Sequence, residues 1–488
     1  MKKLLALFLI SLLIISAFAS CGKKAVQIQT EDDTKAETLI GEDDDNTEDD
    51  NSNTDGEGNS STDGEGSNTD GGNNNTNGGN STDGNGSNSG DSGNSGNGGN
   101  SGNGGNSGDG GNSGDSGNSS NGGNTDSSDN GGNSGDNENN NSFPSTYIPV
   151  NSVEDLKEIT LSGDYYLNGD IDMDGAEWTP IGDKDSPFTG TFDGNGHTIS
   201  NFVINDSSKC VGLFGANNGT VQNLKLKDFA INVTNNTSSL FIGSVVGHNN
   251  GSVKVCSAEG TLSGTVTSPD FESSVVIGGI VGYNNDGTVE ECFANCTVNS
   301  SSTSMVSCAG GLIGFLKKGN VTNCYATGDV EANYNALVND KNSAAAGGLI
   351  GHNSSEGIIT NCYASGKAKA VADPNGVSFA GGLIGSNMST VINCYALGDI
   401  NSIANLSGYS SYGGALCGYI GPDLDVTITN SYYSNEQTVT ASDSSTYGEG
   451  KATSELKSND FHTSTLKWSS EIWCFTEGAL PTLKALTK

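Results

Sequence analysis

The stretch that decides the fold is Gly347-Gly348-Leu349-Ile350-Gly351 followed by Ile359-Thr360-Asn361-Cys362-Tyr363-Ala364-Ser365-Gly366. Six further copies of this sequence pattern, some of them degenerate, begin near Gly212, Gly243, Gly278, Gly310, Gly381 and Gly413. The seven copies start 31 to 37 residues apart, with 212 to 243 and 310 to 347 as the extremes. Self-similarity at such a period is typical of stacked-repeat proteins.

Two columns of the repeat predict its local structure. The residue three before Cys362 is Ile359, and this position is β-branched in every copy. Two inward residues three apart break the period of two of a strand. Asn tolerates the left-handed backbone conformation, so we expect a bend at Asn361, the residue just before Cys362. After the bend, alternation resumes with Cys362 inward, Tyr363 outward and Ala364 inward.

Each repeat therefore contains at least two short strands that meet at a corner, and no copy shows a helical stripe. Such a unit cannot bury its apolar face alone, but stacked units bury it continuously while their backbones pair. We predict an all-β protein, a parallel and right-handed β-helix or solenoid of about seven repeats.

The repeated text also resembles a known family. Gly-Gly-Leu-Ile-Gly followed by Asn-Cys-Tyr-Ala-x-Gly closely resembles the GLUG motif of bacterial surface proteins. The run from Phe188 to Ile199 is similar to the first coil of such β-helices, and the run from Trp473 to Leu483 to their C-terminal closure. The resemblance covers about residues 147 to 488. The resemblance implies a β-helix with an adhesin-like surface role. The family has no agreed catalytic residues whose positions could be sought in this chain.

The N-terminus predicts export. Met1-Lys2-Lys3 precedes an apolar run, and residues 1–20 read as a signal peptide. The ending Ala19-Ser20-Cys21-Gly22 resembles a bacterial lipobox, which implies cleavage before Cys21 and lipidation of that residue. The alternative is ordinary cleavage nearby and release of the protein. A lipidated Cys21 would anchor the chain in the cell envelope without spanning the membrane.

Composition divides the remainder of the chain. Residues 21–142 are rich in Asn, Gly, Ser and Asp, and we predict a disordered tether there. Residues 143–211 are assigned to an N-terminal cap and first coil, 212–440 to the repeats, and 441–488 to a C-terminal cap. Ser152 is the expected N-cap of a short helix, and Thr453 to Phe461 with Trp468 and Trp473 are expected to close the other end.

Charge limits the possible partners. The formal net charge is −37, and every basic residue is Lys. Nucleic acid and anionic membrane surfaces require clustered cations and are therefore disfavoured as partners.

The repeat places cysteines in one core position, which Leu224 fills in an earlier copy. Side chains stacked in parallel are poorly aimed for the S–S torsion of about 90°. We therefore interpret this cysteine column as buried free thiols that pack as small hydrophobes, with disulfides as the alternative. The column consists of Cys256, Cys292, Cys324, Cys362 and Cys394.

The residue after each of these positions is aromatic in most copies and is predicted to face outward. One interpretation is a platform for sugar rings, because aromatic faces bury apolar sugar surface. The other is a structural stack that other segments cover. This aromatic column consists of Phe293, Tyr325, Tyr363, Tyr395 and Tyr432. The loops from Asn333 to Ser343 and from Ala372 to Ser378 are the next candidates for binding.

Catalytic and metal-binding patterns are weak. Asp170 to Gly175 opens like a calcium loop, but Ile181 stands where an EF-hand needs Glu, and alternation explains the run as a strand. His248 and His352 share one repeat position about 14 Å apart, too far for one zinc ion. The sequence contains no His-Glu-x-x-His, although GLUG repeats also accompany IgA-cleaving metallopeptidases. We assign no catalytic residue, metal or cofactor.

The sequence thus predicts a monomeric, surface-exposed lipoprotein that displays a non-catalytic binding or adhesion domain. Its expected ligand is a host or environmental glycan or a matrix protein. The alternatives are a glycan-active enzyme of the lyase or hydrolase type and a purely structural spacer in the envelope.

Overall fold

A computed structural model describes residues 143–205, 207–267, 273–335, 342–374, 376–405, 409–421 and 426–487. The signal peptide, Cys21 and the tether, all within residues 1–142, lie outside the described residues. Within them, no helix is long and apolar enough to cross a lipid bilayer.

The chain winds through three parallel sheets, here called the first, second and third faces, and each complete coil visits them in that order. The first face contains Cys210–Val211, Leu240–Gly243, Val275–Gly278, Val306–Gly310, Ser343–Gly347, Val377–Gly381, Ser411–Gly414 and Asp443–Ser445.

The second face has two halves, which two long strands bridge. The upstream half contains Phe214–Asn217, Val246–Asn249, Val281–Asn284, Ile313–Thr322, Ile350–Thr360, Ile384–Asn387 and Cys417–Ile420. The downstream half contains Ile148–Val150, Asp164–Leu167, Thr191–Asp193, Thr220–Gln222, Ser252–Lys254, Thr288–Glu290, Thr390–Ile392 and Ile428–Thr429.

The third face follows the bend in each coil. It contains Ile171–Asp172, Thr198–Ser200, Val203–Ile204, Lys225–Asn235, Ser257–Val266, Phe293–Ser302, Tyr325–Ala326, Val330–Asn335, Tyr363–Ala364, Ala368–Asp373, Tyr395–Ala396, Ile400–Ala404, Tyr432–Ser434, Val439–Thr440 and Glu449–Lys451. Successive coils pair in register on all three faces, as in Ile313 with Ile350 and Tyr325 with Tyr363. The predicted parallel β-solenoid is confirmed.

The bend between the second and third faces has the predicted backbone. Asn361 has a φ of 55°, and Asn323 and Asn393 each have a φ of 54°. Val255 and Glu291 occupy the same position with φ values of 51°. The bend is therefore set by the stacking of coils, which holds even a β-branched residue in a conformation that it rarely adopts alone.

The glycines of the repeat allow a close approach between the first and second faces. A Cβ atom on Gly351 would lie 2.6 Å from the Cys308 Sγ atom and 2.6 Å from the Gly314 carbonyl oxygen. No side chain fits in that space, so the strand of the first face folds back tightly against the second.

Most inward positions are aliphatic, but one inward column is a ladder of asparagines. The Asn217 amide donates to Asn249 at 2.9 Å, and Asn249 donates to Asn284 at 2.7 Å. Further along, Asn353 donates to Asn387 at 2.7 Å. Leu316 occupies the position between Asn284 and Asn353 and interrupts the ladder.

The N-terminal end has the predicted helix, which spans Val153–Lys157. The Ser152 hydroxyl accepts a hydrogen bond from the Asp155 N–H at 3.2 Å, and the Asp155 carboxylate accepts one from the Asn151 N–H at 2.8 Å. Leu156 on this helix is fully buried in the solenoid core.

The prediction for the C-terminal end needs correction. After the last coil, the chain passes from Asp443–Ser445 on the first face to Glu449–Lys451 on the third face, and Gly448 approaches Leu416 of the core. The following residues, 453–487, lie along the outside of the third face rather than across the end. We call these residues the C-terminal segment. It contains a helix (Thr453–Leu456), a π-helical turn (Phe461–Thr465), an antiparallel pair (Trp473–Cys474 with Thr482–Leu483) and a 3₁₀ turn (Lys484–Leu486).

Candidate functional site

The cysteine column lies in the solenoid core, as predicted. All five thiols are buried and unpaired in the part of the chain that the structure describes. Each thiol donates to the carbonyl oxygen two residues before it, as Cys362 does to Thr360 at 3.1 Å. Ser431 continues the column, and its hydroxyl donates to Thr429 at 2.9 Å in the same way. From Cys256 to Ser431 the column therefore holds small side chains that donate a hydrogen bond, whereas Leu224 fills the same position in the preceding coil.

Neighbouring thiols of the column are also linked. The Cys324 N–H donates to the Cys362 Sγ atom at 3.4 Å, and the Cys362 N–H donates to the Cys394 Sγ atom at 3.4 Å. Burial raises the pKa of Cys324 and Cys394 well above the ordinary thiol value. Full burial keeps solvent and reagents away from all five thiols, which indicates a structural role.

The aromatic column does not form an open platform for sugar rings; of the two interpretations, the structure shows the stack that another segment covers. Its rings point out of the solenoid and stack as expected, with centroids 4.8 Å apart for Tyr325 and Tyr363 and 5.1 Å apart for Tyr363 and Tyr395. Tyr363 and Tyr395 are nevertheless fully buried, because the C-terminal segment covers them. Tyr432 is buried too, and Phe293 is partly exposed.

The contacts of this cover are specific. Trp473 lies 6.0 Å from Tyr325 and 6.2 Å from Tyr363, measured between ring centroids. The Tyr363 hydroxyl donates to the Pro481 carbonyl oxygen at 2.7 Å, and the Trp468 indole N–H donates to Asn393 at 3.2 Å. A ligand could reach the tyrosines of the column only if the C-terminal segment moved away.

The histidines of the repeat position lie at the two ends of a ring stack. Centroids are 5.2 Å apart for His248 and Tyr283, 5.2 Å for Tyr283 and Phe315, and 4.6 Å for Phe315 and His352. The predicted separation by three coils is confirmed. Burial lowers the pKa of both histidines to about 4. Among the described residues, no group of three or more His, Cys, Asp or Glu side chains is placed to hold a metal ion.

An open groove of about 450 Å³ lies on the outer surface of the third face. It is formed by the part of the third face that lies downstream of the aromatic column in each coil. Five successive coils contribute to it, with aligned residues such as Glu331, Lys369 and Asn401. We call it the third-face groove. Its polar lining residues are Thr297, Asn299, Asp329, Glu331, Lys367, Lys369, Asp399, Asn401, Thr438 and Thr440.

Most charges that line the groove have a partner. The Lys369 ammonium lies 2.9 Å from the Glu331 carboxylate. Asp329 accepts a hydrogen bond from the Lys367 backbone N–H at 2.9 Å, and Asp399 accepts one from a backbone N–H of the next coil at 2.9 Å. These bonds fasten each coil to the next.

One polar atom in the groove is different. The Asn401 Oδ1 atom is buried and has no hydrogen-bond partner in the described part of the chain. A buried amide oxygen without a donor costs about 1–3 kcal/mol. The rest of the Asn401 side chain lines the groove, so a ligand that reoriented this amide could supply the missing donor.

Sequence reasoning missed this groove. Glu331, Lys369 and Asn401 alternate with buried residues, which is the ordinary pattern of a strand with one wet surface. The available signal was their register, because the repeat spacing aligns acidic, basic and amide side chains on consecutive coils.

The repeat matches a known sequence motif. The sequence profile of the GLUG motif matches residues 306–331 and 342–369. Halomucin of Haloquadratum walsbyi is 34% identical over 144 residues, which cover 25% of this chain and 2% of halomucin. A protein of Evansella cellulosilytica, provisionally named a Gly-rich membrane protein, is 36% identical over 99 residues, which cover 20% of this chain and 11% of that protein. The chain thus spans only a small part of the length of these relatives.

Solved structures are also similar. A Bacteroides ovatus structure, described as a candidate immunoglobulin A1 protease, is 17% identical with a TM-score of 0.42 and covers 70% of this chain and 92% of its own. A structure titled IgA1 protease is 18% identical with a TM-score of 0.37 and covers 59% of this chain and 21% of its own. The matched stretches at residues 306–331 and 342–369 each run from the first face, through the bend, to the third-face groove, and these two coils are GLUG motifs.

Proposed function

We propose that this protein is a lipoprotein of the bacterial cell surface whose β-solenoid binds a glycan or a matrix protein. Cys21 carries the lipid, and residues 22–142 link it to the solenoid. The GLUG motifs and the names of the two relatives, a mucin and a membrane protein, support a place in the cell envelope.

The single observation that carries the binding role is the third-face groove. It is open along the solenoid, and it is built on strands that pair in register through five coils. Binding sites need groups held in fixed positions, and a rigid scaffold of paired strands supplies them.

A glycan-active enzyme is the rival function, because the groove contains three carboxylates, those of Asp329, Glu331 and Asp399. Each of them, however, already accepts a hydrogen bond from a backbone N–H or from a lysine. Carboxylates that fasten coils together are suited to holding a polymer. A general acid would instead need a carboxyl group free to give its proton to the glycosidic oxygen.

The test compares cells that express the full chain with cells that express the Cys21→Ser variant. We expect wild-type protein in the detergent phase of a membrane extract, and expressing cells should adhere to surfaces coated with mucin or extracellular matrix. The Cys21→Ser variant should appear in the medium, and its cells should lose adhesion.

Two results would count against the proposal. A Cys21→Ser variant that stays in the detergent phase would contradict the lipid anchor. Wild-type cells that adhere no better than cells without the protein would contradict the binding role. Shortening of a soluble glycan during incubation with the purified protein would favour the enzyme instead.

A further inference from the structure

We infer that the third-face groove binds a single uncharged polysaccharide chain laid across the coils. This inference rests on the proposed binding function and adds its site and its ligand class.

The charges along the groove alternate from one coil to the next. One coil presents Asp329 and Glu331, the next presents Lys367 and Lys369, and the third presents Asp399. Adjacent coils are about 4.8 Å apart, so the sign changes over roughly the length of one sugar unit.

This alternation disfavours a polyelectrolyte. A uniformly anionic chain that crosses the coils would meet the carboxylates of two of them, and a uniformly cationic chain would meet the two lysines between. Like charges brought together at an interface cost binding free energy and suppress the wrong partner. A neutral chain avoids this repulsion on every coil.

Hydroxyl groups can bond to every polar group in the groove. A hydroxyl both donates and accepts, so it pairs with carboxylates, ammonium groups, amides and threonine hydroxyls alike. The Asn401 amide lines the groove, and on reorienting toward a ligand it could both donate to and accept from such a hydroxyl. Asn299, Thr438 and Thr440 continue the polar lining at the two ends of the groove.

The shape of the groove agrees with a polymer rather than a small sugar. Its lining spans five coils, from Thr297 to Thr440. Four steps of about 4.8 Å give a length of about 19 Å. The groove is open, so a chain could extend beyond either end.

The experiment is affinity electrophoresis of the purified full chain in native gels that contain one soluble polymer each. The neutral probes are dextran, laminarin and galactomannan, the anionic probe is polygalacturonate, and the cationic probe is a soluble chitosan. We expect retardation by at least one neutral polymer and none by polygalacturonate. Chitosan should retard a chain of net charge −37 through general charge attraction, and that retardation should be the same in the groove variants below.

Variants locate the site. Asn401→Leu removes the unpaired acceptor, and Lys369→Ala removes the central ammonium group. Each should weaken binding about fivefold, the value of one hydrogen bond. Lys254→Ala is the matched control, because Lys254 forms an equally short pair of 2.9 Å with Glu290 on the second face, away from the groove.

Each outcome decides something. If both groove variants bind as well as the Lys254→Ala control, the groove is not the site, and the adhesion assay then decides the binding function separately. Retardation only by polygalacturonate or only by chitosan would overturn the ligand class. No retardation by any polymer would overturn the inference, and the adhesion assay would then show separately whether the binding function stands.

Discussion

Leu316→Asn offers the sharpest test of how the solenoid is held together. Leu316 is fully buried at the position where the asparagine ladder is interrupted. The next coil shows the consequence, because the Asn353 Oδ1 atom is buried and has no hydrogen-bond partner in the described residues. An asparagine at position 316 would place an amide donor beside that oxygen. Its own oxygen would compete with the Lys318 carbonyl for the Asn284 amide, which donates to Lys318 at 2.9 Å.

The expected magnitude follows from two opposing effects. Removing the buried leucine loses about 2 kcal/mol of apolar burial. The new amide gains a hydrogen bond to Asn353 worth about 1 kcal/mol and relieves an unpaired oxygen that costs at least about 1 kcal/mol. The free energy of unfolding should therefore change by no more than about 1 kcal/mol.

Leu312→Asn is the control. Leu312 directly precedes the second-face strand that contains Leu316. It is equally buried and stacks between Ile280 and Leu349. An asparagine there loses the same burial and leaves its amide without a partner, a cost of about 4 kcal/mol in total. The two substitutions replace the same residue type in the same core, so they differ chiefly in the presence of the ladder.

The assay is urea unfolding of the full chain followed by circular dichroism, with hydrogen exchange to report the affected coil. Repeat proteins can unfold in stages, so the comparison uses exchange protection of residues 313–322 as well as the midpoint. Equal losses for the two variants would refute the stabilising role of the asparagine ladder.

Three further predictions follow. Cys362→Ser should cost about 1 kcal/mol because Ser431 already serves in this column, whereas Cys362→Asp should unfold the coil by burying a charge, and native protein should label slowly with thiol reagents. Stability should fall as the pH drops from about 6.5, the ordinary His pKa, to about 4, because in this range the unfolded chain binds a proton at His352 and the folded chain does not. His352→Phe should make this fall smaller. An unchanged pH slope in this variant would contradict that assignment. Trp473→Ala should cost about 3–5 kcal/mol and speed exchange throughout residues 453–487, and an unaltered exchange pattern would show that this ring does not hold the C-terminal segment.

The structural features that recur from repeat to repeat could be predicted from the sequence. The β-branched position before the bend, the left-handed Asn361 and the inward Cys362 each recur in most copies, so the pattern could be inferred without a structure. Even the separation of His248 from His352 follows from counting coils. A repeat contacts chiefly its neighbours, and its local pattern therefore carries most of the information about the stack.

The aromatic column shows where that reasoning ends. Alternation along a strand states that Tyr363 points away from the core, but it does not state what lies on the other side. In this protein the Tyr363 hydroxyl contacts Pro481, which is 118 residues away in sequence and does not belong to any repeat. A contact of this kind has no periodic signal.

A physical signal was nevertheless present in the composition of the C-terminal segment. Phe461, Trp468 and Trp473 lie outside the repeats, and large aromatic side chains at a chain terminus must bury their surface somewhere. The end of a solenoid offers one short coil, and here the chain crossing near Gly448 already covers it. The outward tyrosines offer a longer apolar stripe, so the segment lies along the side. By covering that stripe, it leaves the polar third-face groove as the open, concave part of the same face, and binding is therefore expected to depend on hydrogen bonds there rather than on aromatic stacking.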